Sequence, residues 1–182
     1  MRIIGGTYGG RTLRVPKGLP ARPTTDRAKE ALFNMLSHRI DWEETAVLDL
    51  FSGTGNIAIE CASRGAREVI AVERDYKSTA ALKQTVVAWR ISCLKVIKAD
   101  VKRFLKGKVQ PFDLIFLDPP YQWDGVPDLI QTLMDQGWLA EAGLLIAEHQ
   151  SSRVLDNLPG WEETRAYGDS SFSFFSREGK EV

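Results

Sequence analysis

The chain has 182 residues, of which 43% are hydrophobic and 26% charged, and its formal net charge is zero. This composition is typical of one compact globular domain with a well-filled core. No apolar run approaches the length that crosses a membrane, and glycines interrupt residues 1–10 too early for a signal peptide. The two cysteines, Cys61 and Cys93, show neither C-x-x-C spacing nor a neighbouring histidine cluster, which indicates no disulfide framework and no metal site. We therefore expect a cytoplasmic protein that needs no membrane and no metal.

The N-terminal residues are predicted to form a small β-hairpin. The segment RIIGGTYGGRTLRV, residues 2–15, has two β-rich flanks around a glycine pair. Glycine adopts positive φ angles readily, so Gly9 and Gly10 are predicted to form a two-residue turn between the strands.

A Pro-rich connector over residues 16–23 is predicted to lead into a helix over residues 27–39. Thr25 or Asp26 has the side chain of a helix N-cap. The apolar residues of this segment repeat at helical spacing and predict one face packed on a core: Ala28, Ala31, Leu32, Met35 and Leu36.

The positive charge is concentrated at the N-terminus. Residues 1–40 contain eight Lys and Arg against two Asp and Glu, a net charge of +6, so the rest of the chain carries −6. Charge alone fits a solvated arm or an arm that binds a polyanion equally well. Six of the eight basic residues are arginine, whose planar guanidinium suits phosphate, and this favours nucleic acid.

From about Thr45 onward, apolar strand candidates alternate with helix-length segments. The strand candidates are AVLDLF, EVIAVE, LKVIKAD, FDLIFLD and GLLIAEH. This alternation predicts an α/β fold, a doubly wound, mostly parallel sheet with helices on both faces. Two further short strands around Gly168 and Asp169 predict an antiparallel C-terminal edge. We therefore predict a basic extension of residues 1–44 and a main domain of residues 45–182.

In such a sheet, ligands bind beyond the carboxyl ends of the strands. The first strand is followed by a glycine-rich loop over residues 52–56, where backbone can approach a ligand and a helix begins. Glu73 ends the second strand, twenty residues after Gly53, at a position suited to the hydroxyls of a ribose. Because Gly53-x-Gly55-x-x-Ala58 also fits the dinucleotide fingerprint, an NAD-dependent oxidoreductase remains an alternative on these residues.

Three other features favour a different cofactor. Asp49 lies four residues before Gly53, where it can hold the loop or meet an ammonium group, and where it would repel a pyrophosphate. Asp100 follows the third strand and can accept from an adenine amino group, with the backbone of Val101 beside it. The fourth strand ends in Asp-Pro-Pro-Tyr, residues 118–121.

These motifs resemble those of the Rossmann-like S-adenosylmethionine-dependent methyltransferases. VLDLFSGTGNIAIE resembles their cofactor motif, VIAVERD their ribose-binding acid, and LDPPY the motif of enzymes that methylate nitrogen conjugated to a π system. The resemblance implies S-adenosyl-L-methionine as the cofactor. It also implies a cofactor-binding role for Asp49, Ser52, Gly53, Thr54, Gly55, Glu73, Arg74, Asp100 and Val101.

The N-terminal motifs resemble those of a narrower family. MRIIGGTYGGRTLRVP and RPTTDRAKEALFNML are similar to the bacterial 16S rRNA guanine-N2 methyltransferases that act on position 966, and the similarity extends to SFSFFSR near the end. It implies direct methyl transfer to a guanine N2 amine in an assembled or assembling small ribosomal subunit. We expect the protein to be a monomer. We expect the RNA backbone to be held by five arginines of the N-terminal segment: Arg2, Arg11, Arg14, Arg22 and Arg27.

The catalytic group is predicted at the end of the fourth strand: Asp118, Pro119, Pro120 and Tyr121. Strands one and four of a doubly wound sheet are neighbours, so this group is expected to face the glycine loop. Asp118 and the carbonyl of Pro119 would each accept one N–H of the target amine, and Tyr121 would stack on the base.

The LDPPY motif leaves the methylated group open. Adenine in DNA or RNA and a protein glutamine amide are alternatives within the methyltransferases. An RNA-binding factor that keeps the fold without turnover is an alternative from another class.

Overall fold

A computed structural model describes residues 1–16 and 26–179 and divides the chain into two compact units, Met1–Phe104 and Leu105–Val182. The first unit contains α1 (Asp26–Leu36), a 3₁₀ turn (Trp42–Glu44), β1 (Ala46–Leu50), α2 (Asn56–Ser63), β2 (Glu68–Glu73), α3 (Tyr76–Trp89), β3 (Leu94–Lys98) and α4 (Val101–Phe104). The second contains β4 (Phe112–Leu117), α5 (Val126–Asp135), β5 (Leu139–Gln150), β6 (Trp161–Tyr167) and β7 (Ser170–Phe175). The division predicted after residue 44 remains a prediction.

The strands of the first unit are parallel and lie in the order β3-β2-β1. Every residue of β1 is buried, and so are the four central residues of β2. Strands covered on both faces read as continuous apolar runs, which is why the sequence predicts them well. Parallel pairing brings the carboxyl ends of these strands to one edge, and Glu73 is the register partner of Lys98.

The N-terminal residues pair as predicted, but the predicted turn is wrong. Arg2 and Thr12 form an antiparallel bridge. The amide of Gly10 donates to the carbonyl of Ile3 at 2.8 Å, so Gly10 belongs to the paired segment. A two-residue turn of the predicted type needs positive φ at both central residues, and Gly9 lacks it.

The loop is longer because it docks on the C-terminal end of α2. The amide of Thr7 donates to the carbonyl of Ser63 at 2.7 Å, and the amide of Tyr8 donates to the hydroxyl of Ser63 at 2.9 Å. A Cβ on Gly6 would lie 1.8 Å from the Ser63 carbonyl oxygen, so only glycine permits this approach. Contacts with α2 therefore determine the turn.

Helix α1 is shorter than predicted, and its buried face includes residues that were not predicted to be buried. It ends at Leu36 and begins at Asp26, which is thus a residue of the helix and not its cap. Thr25 and most of the Pro-rich connector lie outside the described residues. Ala31 and Met35, predicted to be buried, are half-buried. The buried face consists of Ala28, Lys29, Leu32, Phe33 and Leu36.

The strands of the second unit lie in the order β4-β5-β7-β6. β4 and β5 are parallel, whereas β7 pairs antiparallel with both β5 and β6. Gly168, with φ of 67°, supplies the positive angle of the turn between β6 and β7. β5 begins at Leu139, four residues before the predicted strand.

These elements confirm the predicted fold class, mostly parallel strands alternating with helices and an antiparallel C-terminal edge. None of the helices in the described part of the chain is long and apolar enough to cross a membrane.

Candidate active site

The glycine loop after β1 has three residues in the left-handed region: Phe51, Gly53 and Gly55, with φ of 62°, 55° and 85°. The two glycines serve different purposes. A Cβ on Gly55 would lie 2.3 Å from Cδ1 of Leu82, so this glycine permits close packing of α3. A Cβ on Gly53 would meet nothing within 4 Å, so open space remains over the loop at this position.

Asp49 holds the loop against α2. Its Oδ2 accepts hydrogen bonds from the Ser52 hydroxyl at 2.7 Å and from the Ala58 amide at 3.1 Å. The residue is buried, and burial raises the pKa of its carboxyl to about 7, although both hydrogen bonds oppose the shift. Of the two roles expected for Asp49, the described contacts show the first.

We expect Asp49 to make stability depend on pH. Its pKa of about 7 in the folded protein exceeds the ordinary 3.8. Its stabilising contribution to the folded state is therefore fully present below about pH 4 and is lost as the pH rises through about 7. The free energy of unfolding should therefore fall by up to about 4 kcal/mol across this range through this group. Asp49→Asn keeps an oxygen acceptor but does not titrate, so urea unfolding should show a flatter pH profile.

The matched control is Asp156→Asn, which changes an exposed aspartate of the second unit. It should keep the wild-type pH profile. Identical profiles for the wild type and Asp49→Asn would contradict the assignment.

Glu73 joins the end of β2 to the glycine loop. Its Oε2 accepts from the Gly53 amide at 2.9 Å, and its Oε1 accepts from the Asp75 amide at 2.7 Å. The structure thus brings Gly53 and Glu73 together, as the sequence predicts. An ionised carboxylate has about four lone-pair sites, so these two bonds leave capacity for ribose hydroxyls.

The other expected cofactor residues surround this edge of the first unit. Ser52 and Thr54 are buried in the loop, while Arg74 is exposed. Asp100 is exposed, and its Oδ1 accepts from the Lys102 amide at 2.9 Å. Val101 begins α4 and is buried. The Ala99 amide donates to the Glu73 carbonyl at 3.0 Å, so the end of β3 lies beside that of β2.

In the second unit, the Asp-Pro-Pro-Tyr segment forms a turn directly after β4. Asp118 is half-buried, Pro119 buried and Pro120 exposed. The Trp123 amide donates to the carbonyl of Pro120 at 2.8 Å and closes the turn. Prolines lack an N–H and have a fixed φ, so they end the strand and stiffen the backbone. The Asp118 side chain and the Pro119 carbonyl are both therefore attached to rigid backbone.

Two side chains that sequence reasoning missed hold this turn. The hydroxyls of Tyr121 and Ser170 lie 2.7 Å apart. The guanidinium of Arg153 donates to the carbonyl of Trp123 at 2.9 Å and to that of Tyr121 at 3.2 Å. No local pattern marks Ser170 or Arg153, because each lies at least thirty residues from its partner in sequence.

A buried charge network that the sequence analysis also missed links α1 to α2. The ammonium of Lys29 donates to the Arg2 carbonyl at 2.6 Å and to Oδ1 of Asn56 at 2.8 Å, and it lies 3.2 Å from Oε2 of Glu60. Burial lowers the pKa of Lys29, and the charge of Glu60 opposes this shift. Asn56 is the last residue of the glycine loop and the first residue of α2, so the network supports that loop.

The predicted RNA-binding arginines lie on the surface where they are described. Arg2, Arg14 and Arg27 are exposed, and Arg22 lies outside the described residues. The Arg11 guanidinium lies over two rings, 5.3 Å from that of Tyr8 and 5.2 Å from that of Trp89. Sequence reasoning missed both aromatic residues at this site.

The strand order, the glycine loop and the acid at the end of β2 define a Rossmann-like methyltransferase fold. The family described as "Conserved hypothetical protein 95" matches residues 1–176. Ribosomal RNA small subunit methyltransferase D of Escherichia coli (strain K12) is 32% identical over 99% of this chain and 91% of its own length. The chain therefore belongs to the ribosomal RNA small subunit methyltransferase D family, whose named members are rRNA methyltransferases.

Another relative and two solved structures are also similar to this chain over nearly its whole length. The putative rRNA methyltransferase YlbH of Bacillus subtilis (strain 168) is 32% identical over 98% of this chain and all of its own length. Among solved structures, a putative methyltransferase from Escherichia coli has a TM-score of 0.85 and 32% identity, with 99% of both chains covered. A putative methylase from Haemophilus influenzae has a TM-score of 0.79 and 29% identity over 97% of both chains.

Across residues 1–16 and 26–179, no group of three or more His, Cys, Asp or Glu side chains is arranged to hold a metal ion.

Proposed function

We propose that the protein transfers a methyl group from S-adenosylmethionine to the exocyclic N2 amine of a guanine in 16S rRNA, at the 966 position of this family. The observation that carries the proposal is the rigid Asp118–Tyr121 turn at the end of β4, in a member of an rRNA methyltransferase family. The substrate is the assembled or assembling small ribosomal subunit, and the protein acts on it as a monomer in the cytoplasm.

The residues of the first unit fit the cofactor. The open space above Gly53 leaves room for a ligand, and a side chain at this position would fill that space. The Glu73 carboxylate lies within hydrogen-bond distance of the Gly53 amide. Glu73 would accept from the ribose hydroxyls, and Asp100 with the Val101 backbone would contact the adenine. Asp49 would act indirectly by fixing the loop. When bound, S-adenosylmethionine supplies an electrophilic methyl group.

The turn after β4 would make the target amine nucleophilic. The nitrogen lone pair of an exocyclic amine is delocalised into the ring, which makes the amine a poor nucleophile. Asp118 and the Pro119 carbonyl would each accept one N–H, draw the nitrogen toward tetrahedral geometry and free its lone pair. The methylated nitrogen would then lose one N–H proton, to Asp118 or to water. Tyr121 would stack on the base once it leaves its helical stack. Such orientation can lower a barrier by several kcal/mol, with about 7–11 kcal/mol as an upper range.

Cofactor binding tests the role of the first unit. Calorimetry should show that S-adenosylmethionine binds the wild type. Glu73→Ala should lower the affinity for S-adenosylmethionine roughly 10- to 100-fold, because charge-assisted hydrogen bonds to the ribose are lost. The control Glu68→Ala changes an acid at the opposite end of β2 and should bind as the wild type does. Binding of NAD and not S-adenosylmethionine would contradict the proposal and favour an oxidoreductase.

The basic N-terminal segment would hold the RNA backbone. The rings of Tyr8 and Trp89 restrict the Arg11 side chain, and a restricted side chain loses less entropy when it binds phosphate. Arg2, Arg14, Arg22 and Arg27 would add charge along the same segment.

Arg11→Ala combined with Arg14→Ala should weaken RNA binding and flatten its salt dependence. Each phosphate contact contributes about 0.7 to the log–log salt slope on single strands, so the slope should fall by about 1.4. Fluorescence anisotropy across a salt series measures it. The control pair Lys106→Ala and Lys108→Ala, exposed lysines of the second unit, should keep the wild-type slope. An unchanged slope in the arginine pair would remove these residues from the RNA surface.

A further inference from the structure

A shallow concavity in the second unit lies beside the Asp118–Tyr121 turn. It is lined by Pro119, Pro120 and Tyr121 from the turn and by Glu148, His149, Gln150 and Arg153 from the end of β5 and the loop after it. Glu148 is buried, with 3% of its surface exposed.

The strand register places two carboxylates next to each other: Glu148, which lines the concavity, and Asp118, which directly precedes the lining residue Pro119. β4 and β5 are parallel, and Leu117 is the register partner of Ala147. The next residue on each strand is an acid, Asp118 on one and Glu148 on the other. Side chains alternate between the faces of a sheet, and a residue that precedes proline is held extended, so both acids lie on the same face.

Tyr121 forms one wall of this concavity. Its hydroxyl lies 2.7 Å from that of Ser170, and Ser170 is the register partner of Gln150 at the end of β5. The guanidinium of Arg153 donates to the Tyr121 carbonyl at 3.2 Å. A base stacked on Tyr121 would therefore have its edge in a defined position relative to β5.

Contacts to the amine alone cannot select guanine. The exocyclic amines of adenine, cytosine and guanine all offer two N–H donors to Asp118 and the Pro119 carbonyl. The ring nitrogens beside the amine differ. Guanine has N1, which carries a hydrogen, and N3, which carries a lone pair. Adenine N1 and cytosine N3 both carry a lone pair, so neither base has an N–H at this position. An ionised carboxylate only accepts hydrogen bonds, so a carboxylate facing this ring nitrogen would favour guanine.

We propose that Glu148 accepts the N1–H of the target guanine and thereby selects guanine over adenine and cytosine. This inference rests on the proposed function and specifies how its site recognises the base. With Glu148 ionised, adenine or cytosine would direct a lone pair at its carboxylate, and the two would repel each other. A carboxylate has about four lone-pair sites, so Glu148 can keep its other contacts.

The test uses 2-aminopurine, which keeps the amine of guanine but has a lone pair at N1. Small subunits are assembled with 16S rRNA that carries guanine or 2-aminopurine at the methylated position. The wild type should prefer guanine by at least about 100-fold in kcat/KM, because a site built to accept a hydrogen bond rejects an analogue that lacks it. Glu148→Gln should narrow this ratio at least about tenfold, because the glutamine amide can donate to N1 of 2-aminopurine.

The matched control is Glu141→Gln, an exposed position on the same strand, which should keep the wild-type ratio. Equal wild-type rates on the two bases would overturn the inference without any variant. An unchanged ratio in Glu148→Gln with normal cofactor binding would also overturn it, and would leave guanine methylation itself intact. Absence of methyl transfer to guanine by the wild type would instead overturn the proposed function, and the inference with it.

Discussion

Asp118→Ala is expected to remove methyl transfer to rRNA while the affinity for S-adenosylmethionine stays at the wild-type value. The side chain projects from the turn after β4, in the second unit, whereas the residues expected to bind the cofactor are all in the first. Without this acceptor, the target amine keeps its lone pair in the ring. The turnover should fall by roughly 10²–10³-fold, the usual cost of removing one positioned polar group.

Single-turnover kinetics on undermethylated small subunits measure this effect, and calorimetry measures the affinity for the cofactor. The control Asp113→Ala changes an exposed acid at the opposite end of β4 and should keep wild-type turnover. Near-normal turnover in Asp118→Ala would show that the proposed acceptor geometry is wrong.

Lys29→Met is expected to destabilise the first unit by about 3 kcal/mol or more. Removal of one partner from a buried ion pair typically costs about 3–5 kcal/mol, because the other charge remains buried. Glu60 keeps hydrogen bonds from the amides of Ile4 and Gly5 and from Arg64, which places the cost at the lower end of this range. Urea unfolding measures the change.

A double-mutant cycle separates the ion pair from packing effects. Lys29→Met combined with Glu60→Gln should cost less than the sum of the single changes, because neither charge is then left alone. The control Lys83→Met changes an exposed lysine of α3 and should alter stability by less than about 0.5 kcal/mol. Additive costs in the cycle would contradict the assignment of this network.

The sequence predicts the strands well because each buried strand is a continuous apolar run. β2 has the predicted bounds, and β1 and β4 end within one residue of the prediction. The glycine loop is also predictable, because its residues are consecutive in the sequence and form a recognisable motif. The contact between Gly53 and Glu73 follows from parallel pairing, which brings neighbouring strand ends together.

The errors arise where distant residues decide the local structure. The turn at Gly9 depends on contacts with Ser63, which no local pattern reveals. Arg153 holds the Tyr121 turn from a separate loop. Lys29 lies at helical spacing from Leu32, Phe33 and Leu36, so the apolar periodicity includes its position. A lysine is normally predicted to be solvent-exposed, and only the contact with Glu60 explains why this one is buried.

The most direct measurement is transfer of labelled methyl from S-adenosylmethionine to small ribosomal subunits that lack this modification, followed by nucleoside analysis of the 16S rRNA. The account predicts label in N2-methylguanosine for the wild type and its loss in Asp118→Ala. Label in another nucleoside would keep the methyltransferase fold but contradict the assignment of guanine. No label, with cofactor binding demonstrated in the same preparation, would contradict the proposed reaction itself.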